Sequence, residues 1–172
     1  MICPFAKPNL GGVEEHLGKL IDALGRRGVW VTLVTYQPLT TKAKGPAYER
    51  SGTYEIYRVS WPGYNLFPRL EPIFPLVFLY LFPGLFLRCL WIYLREWERY
   101  DCIHAHGLVA AAIGRVLALL RKRRLVISTH AIYSFGRRRL LARLVYALLA
   151  GADHILAVGS PSRKELIALG IP

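Results

Sequence analysis

Two rhythms of apolar residues run through this chain. Met1 to Phe5 is a short apolar run, and after a turn Val13, Leu17, Leu20, Ile21 and Leu24 recur on one stripe with Glu14, Lys19, Asp22 and Arg26 mostly elsewhere. Spacings of three and four are those of an amphipathic helix. Gly28 stops that helix, and the β-branched run Val29 to Thr35 reads as a buried strand. The first 36 residues thus predict one β-α-β unit.

The same alternation continues. Strands are expected at Ile2 to Phe5, Val29 to Tyr36, Tyr54 to Val59, Cys102 to His106, Leu125 to Thr129 and His154 to Val158, separated by helical patterns or long connections. That order predicts a Rossmann-like, doubly wound α/β fold with a mostly parallel sheet covered by helices on both faces. Gln37 to Gly52, with Pro38, Gly45, Pro46 and Gly52, reads as a mobile connection, and Trp61 to Pro72 as a second irregular segment. Both are expected near a cleft.

Ile73 to Leu94 is long enough to cross a bilayer, yet Pro75, Pro83, Gly84 and Arg88 interrupt it. Three readings stay open: a core helix, an apolar helix leaning on a membrane, and a true span. Arg121-Lys122-Arg123-Arg124 and Arg137-Arg138-Arg139 with Arg143 are basic clusters, the second leading into the amphipathic stretch LLARLVYALLAG. Cations beside an apolar helix suit an anionic leaflet, each adding about 1 kcal/mol near the surface, although a solvated face has the same composition.

Composition bounds the partners. The 172 residues suit one α/β domain or half of a two-domain enzyme, and 53% hydrophobic residues supply ample core. A mean hydropathy of +0.29 points to some apolar area meant for a membrane or partner. The net charge of +12 favours anionic partners. Aromatic residues lie in apolar runs and not between the arginines, so no nucleic-acid stacking platform is expected. Cys3, Cys89 and Cys102 are widely spaced and form no C-x-x-C pair, which encodes neither a disulfide framework nor a zinc site and fits a reducing cytoplasm. The amino terminus lacks a charged n-region and a cleavage site, so Met1 to Phe5 reads as a strand and not a signal peptide.

In a parallel sheet of this kind, ligands bind beyond the carboxyl ends of the strands. Gly11-Gly12 follows the first expected strand, His106-Gly107 closes DCIHAH, and Ser128-Thr129-His130 closes LVISTH. These ends are expected to converge on one rim. Glycines before a helix let an anion approach the backbone and the unpaired N–H groups behind it, so a diphosphate could dock at Gly11 and Gly12. His106 and His130 are placed at the rim; His104 reads as a hydrogen-bonded core residue, since H-x-H as a metal site needs a third ligand that the sequence does not offer. His16, in the first helical turn, either lines the cleft or packs, and His154 reads as structural. No G-x-S-x-G occurs, Cys102 is expected inside a buried strand, and no Lys-Ser or Lys-Thr follows the glycines, which argues against a nucleophilic triad and a P-loop.

Read in order, CPFAKPNLGGVEEHLGKLIDALGRRGVWVTLVT, YDCIHAHGLVAAAIG, VISTHAIYS and ADHILAVGSPSRKELIALGIP resemble the amino-terminal domain of family 4 glycosyltransferases, retaining enzymes of GT-B architecture. Val29 stands where that family often has histidine. The resemblance implies a two-domain enzyme whose amino-terminal half, residues 1–172, takes the acceptor, while a carboxyl-terminal half takes a nucleotide-sugar. It implies that Gly11 and Gly12 approach the donor diphosphate and that His130 is the catalytic histidine contacting the transferred sugar; His16, His106 and Thr129 are expected at the acceptor cleft from their places in the chain. Neither metal nor other cofactor is implied. The sequence ends at Gly170-Ile171-Pro172, where the family continues into a linker, so the donor half is expected from a longer chain or a partner chain. With its arginines and apolar helices, the chain is expected at the cytoplasmic membrane face, acting on a lipid-linked or phospholipid acceptor. The alternative is a non-catalytic subunit that anchors a split transferase on the membrane.

Overall fold

Val31–Tyr36 is buried at every position and forms β1, the strand on which the first half of the chain is built. In the computed structural model, which describes residues 1–130 and 139–171 apart from the side chains of Phe74 and Arg139, the chain divides into two units, Met1–Ile92 and Tyr93–Pro172.

In the first unit, α1 (Gly12–Gly25) lays Leu17 and Ile21 on the sheet. β1 pairs in parallel with β3 (Tyr54–Val59), which pairs antiparallel with β2 (Tyr48–Ser51). Cys3, Ala6, Leu17, Ile21, Val31, Leu33 and Ile56 form the core between them. The opening strand is shorter than its apolar run predicts: Ile2 makes a single parallel bridge to Val34. Beyond it Tyr36 N–H reaches Pro4 O at 3.4 Å in place of Cys3 O, so the regular parallel ladder stops after the Cys3 N–H bond to Val34 O. β2 corrects the expectation of a mobile connection over Gln37 to Gly52. Its polar side chains are partnered across the sheet: Tyr48 donates to Glu55 Oε2 at 3.1 Å, and Glu49 Oε2 pairs with Arg58 Nη2 at 2.8 Å. Glu55 itself is buried and accepts from the Thr32 hydroxyl at 2.8 Å.

The apolar run from Ile73 becomes α3 (Phe74–Glu96), after a short turn α2 (Phe67–Leu70). Pro83 lies inside α3 and removes one helical donor. Two residues later the ladder is opened by a guest. Leu85 N–H donates to the Tyr36 hydroxyl at 2.8 Å, and that hydroxyl donates to Leu81 O at 2.7 Å. Leu81 and Leu85 are the natural i and i+4 partners, so Tyr36 has inserted one oxygen into their bond. Gly84 makes room, since a Cβ there would lie 2.4 Å from the Trp61 ring. α3 is therefore docked on β1 by polar bonds at its proline break as well as by buried Leu81, Leu85 and Cys89. Arg88, the charge inside the apolar run, lies over the rings of Tyr57 at 5.0 Å and Trp91 at 4.7 Å.

The second unit is an all-parallel sheet, β4 (Cys102–His106), β5 (Arg124–Thr129) and β6 (His154–Ala157) in that order. α4 (Leu108–Arg121) packs closely on β4 and β5, because a Cβ on Gly114 would meet Leu125 at 2.9 Å. Asp153 holds the start of β5 by accepting Leu125 N–H at 2.7 Å. α5 (Arg139–Leu149) and α6 (Ser160–Ala168) complete the unit.

Candidate active site

The diglycine lies where the sequence puts it. Gly11 is the residue before α1, extended at φ 172°, and Gly12 is the first helical residue. Both are exposed, and a Cβ on Gly12 would meet nothing within 4 Å. Packing within the chain therefore does not demand glycine at that position. A Cβ on Gly11 would meet the Glu14 carboxylate at 2.5 Å. Glu14 and Glu15 occupy the first helical turn, where negative charge is favoured by the helix dipole. Lys7, in the loop ahead of the glycines, bonds Glu15 at 3.2 Å and with Lys19 holds that carboxyl below its ordinary range. His16 follows in α1 and is half-buried.

Asn9 was not singled out by the sequence, yet it is 4% exposed two residues before the diglycine. Neither Nδ2 nor Oδ1 has a hydrogen-bond partner among the described residues. A buried amide left so costs about 1–3 kcal/mol, which singles the residue out.

In the second unit, the ends of β4 and β5 bring three imidazoles together. His106 Nδ1 lies 3.0 Å from His130 Nε2, and the two rings stack with centroids 5.3 Å apart. That contact holds a single proton, so one ring donates and the other accepts. His104, of the same strand parity, has its ring tilted beside that of His106 with centroids 4.3 Å apart, and its Nε2 lies 2.8 Å from Ser128 Oγ. His106 and Ser128 are buried while His130 is partly exposed. The result is an imidazole at the sheet rim oriented by a buried one behind it. Gly107 turns the chain out of β4 at φ +83° and donates its N–H to Ser128 O at 2.9 Å, which ties the two strand ends together. Thr129 is buried, its hydroxyl 3.5 Å from Leu156 O.

Other expected sites fall elsewhere. Cys102, expected inside a buried strand, is exposed at the first residue of β4, where the sheet edge leaves it uncovered. His154 is exposed at the start of β6. Among the described residues no group of three or more His, Cys, Asp or Glu is placed to hold a metal ion.

Of the basic clusters, Arg121 and Arg123 lie over the Trp97 ring at 4.8 and 5.4 Å, and Lys122 takes the left-handed cap of α4. Arg137 and Arg138 lie outside the described residues, as do Ile132, Tyr133 and Ser134 after His130. Arg143 is exposed on α5 beside Leu140 and Leu144, 72% and 60% exposed. On α3, Leu76, Leu79, Leu87 and Trp91 form one exposed apolar stripe. By length and composition the stretch Pro75–Arg99 could cross a membrane.

Known proteins resemble this chain in sequence and in fold. One subunit of the human phosphatidylinositol N-acetylglucosaminyltransferase is 28% identical over 172 residues, 97% of this chain and 32% of its own length. The chain therefore spans about a third of that relative. Sucrose-phosphate synthase from Thermosynechococcus elongatus superposes with a TM-score of 0.61 at 18% identity, over 92% of this chain and 39% of that one. A second structure of that enzyme gives 0.57 at 19% identity, over 91% of this chain and 77% of that one. The fold is thus the Rossmann-like α/β half of a GT-B glycosyltransferase. Residues 10–172 match Glycosyltransferase Family 4, and the chain belongs to that family.

Proposed function

We propose that this chain is the acceptor-side half of a retaining glycosyltransferase that moves a sugar from a nucleotide-sugar to a phospholipid or lipid-linked acceptor at a membrane face. The observation that carries the reading is the His106–His130 pair at the ends of parallel strands in a family 4 chain. In such a transfer the leaving diphosphate gathers charge as the glycosidic bond opens. N–H groups of α1 behind Gly11 and Gly12 would stabilise that charge, and the absent side chains let the phosphates reach the backbone. His130 would contact the transferred sugar, orienting a hydroxyl or sharing a proton, with His106 fixing its ring. His16, His106 and Thr129 are assigned to the acceptor side, and the donor half comes from a further domain or a partner chain.

A lipid acceptor is supported by the exposed apolar stripe of α3 and by Leu140 and Leu144 beside Arg143 on α5. The human relative's name also joins sugar transfer to phosphatidylinositol. The test is reconstitution of the chain with its donor half on vesicles, with labelled nucleotide-sugars and lipid acceptors offered in parallel. A lipid product with the donor's anomeric configuration supports the reading; an inverted product or an exclusively water-soluble one contradicts it. A second reading, a membrane anchor without chemistry of its own, is favoured by the relative's being one subunit of a larger enzyme. In that case transfer would survive the change of His130 to alanine.

A further inference from the structure

The amino ends of β4 and β5 carry a surface that sugar transfer leaves unused. α4 ends in Arg121, the chain turns at Lys122, and after Arg123 the strand β5 opens on Arg124. Arg121, Lys122 and Arg124 are exposed, and none of the four cations makes an ion pair among the described residues. Adjacent cations without counter-charges raise a local positive potential that draws an anionic partner. The cluster is also held in place. Arg121 and Arg123 lie over the Trp97 ring at 4.8 and 5.4 Å, which joins the end of α4 to the short turn Trp97–Arg99 that follows α3.

Apolar side chains border these cations on both elements. Leu119 and Leu120 of α4 are 70% and 51% exposed, and Leu94 in the last turn of α3 is 52% exposed. Leu94 follows Leu87 and Trp91 at helical spacing, so it carries the exposed α3 stripe on to this end of the helix. Leucines beside a basic cluster suit the boundary between headgroups and acyl chains, where apolar area leaves water while the cations stay among phosphates. A nucleic acid would gain nothing from the leucines, and the aromatic face it would stack on is the one that Arg121 and Arg123 cover.

We propose that this surface attaches the chain to an anionic bilayer, with Arg121, Lys122 and Arg124 at the level of the phosphates and Leu94, Leu119 and Leu120 in the acyl boundary. This deepens the membrane part of the reading above and rests on that part alone, naming the attachment surface and the lipid charge that it reads. The His106–His130 pair closes the same strands at their other ends, so attachment and transfer are separate properties of the chain.

The test is sedimentation of the full chain with vesicles of phosphatidylcholine alone and of equal parts phosphatidylcholine and phosphatidylglycerol, at rising salt, with hydrogen–deuterium exchange to locate the contact. The chain should bind the anionic vesicles at least about tenfold more tightly, lose that preference as salt rises, and gain protection in peptides spanning 94–99 and 119–124. Lys122→Gln/Arg124→Gln should weaken binding by about tenfold or more at low salt, and Lys122→Arg/Arg124→Lys should bind as the wild type does. Leu119→Ser/Leu120→Ser should weaken binding at low and high salt alike, and every variant should keep the wild-type thermal midpoint. Equal binding to neutral vesicles, protection confined to other segments, or tighter binding to duplex DNA than to anionic vesicles overturns the assignment. So does a dimer in solution that the serine variant dissolves, since the leucines would then meet a second copy of the chain. Binding that the glutamine variant retains in full overturns this surface and leaves the membrane part of the reading standing, whereas a wild-type chain that binds neither vesicle overturns both. No donor enters this assay, so failed transfer by a chain that binds as described overturns the transferase reading alone.

Discussion

Changing Tyr36 to phenylalanine removes one oxygen and asks whether α3 truly rests on the sheet. Tyr36 is 0% exposed, and its hydroxyl bridges Leu81 O and Leu85 N–H at 2.7 and 2.8 Å. Each bond contributes about 1 kcal/mol net, and a buried carbonyl or N–H left unmade costs about 1–3 kcal/mol. Leu81 and Leu85 are natural helical partners, so partial closure of the helix recovers some of the loss, at the expense of the Trp61 and Leu85 packing around the break. The balance is a destabilisation of about 2–3 kcal/mol, which for a chain of this size lowers Tm by about 4–12 °C. Urea unfolding measures the first number, and hydrogen exchange at the Leu85 amide locates it. A loss below about 0.5 kcal/mol with unchanged exchange at Leu85 would refute the docking, because a helix that leaves the sheet to enter a bilayer does not need the hydroxyl.

Three further outcomes are expected. Asn9→Leu, which removes a buried amide without partners, should leave the chain as stable or more so while weakening nucleotide-diphosphate affinity in the assembled enzyme; a loss of more than about 1 kcal/mol in urea unfolding would show that the amide serves the fold instead. Burial pushes the Cys3 and Cys89 thiols from an ordinary 9.0 up to about 12, so the unfolded chain ionises first. Their contribution to stability is then complete below pH 9 and falls as pH climbs towards 12, and native alkylation at pH 8 should mark Cys102 while sparing the other two, as mass spectrometry would read. Leu79→Ser with Leu87→Ser, both exposed, should lower flotation with anionic vesicles without moving Tm, and undiminished flotation would exclude the α3 stripe from membrane contact.

The parts of the fold that were legible are those where one physical signal dominates. The β-branched run of β1 marked that strand to within two residues, because a strand buried at every position needs apolar side chains on both faces, and the alternation of short apolar runs with helical patterns placed β3 to β6 as closely. The turn chemistry after β4 was equally plain, since Gly107 has the positive φ that glycine tolerates. β2 was missed because an edge strand of polar residues has no apolar rhythm; what orders it are the Glu49–Arg58 and Tyr48–Glu55 contacts, made to another strand. Pro83 and Gly84 read as interruptions, and the contact that docks α3 there is the hydroxyl of a tyrosine far away in sequence, which no local pattern shows. At the site, His106 and His130 could be placed at strand ends by position alone, but their hydrogen bond depends on the register of β4 against β5. Asn9 gave no signal, since burial of a single amide has no period to read.

The central claim is that His130, oriented by His106, takes part in sugar transfer. The most direct measurement is the turnover of labelled donor into lipid product by the assembled enzyme with His130→Ala, beside donor binding by the same protein. The expected result is a fall in kcat of about 10²- to 10⁴-fold with donor affinity retained. Transfer at the wild-type rate in that variant would contradict the claim.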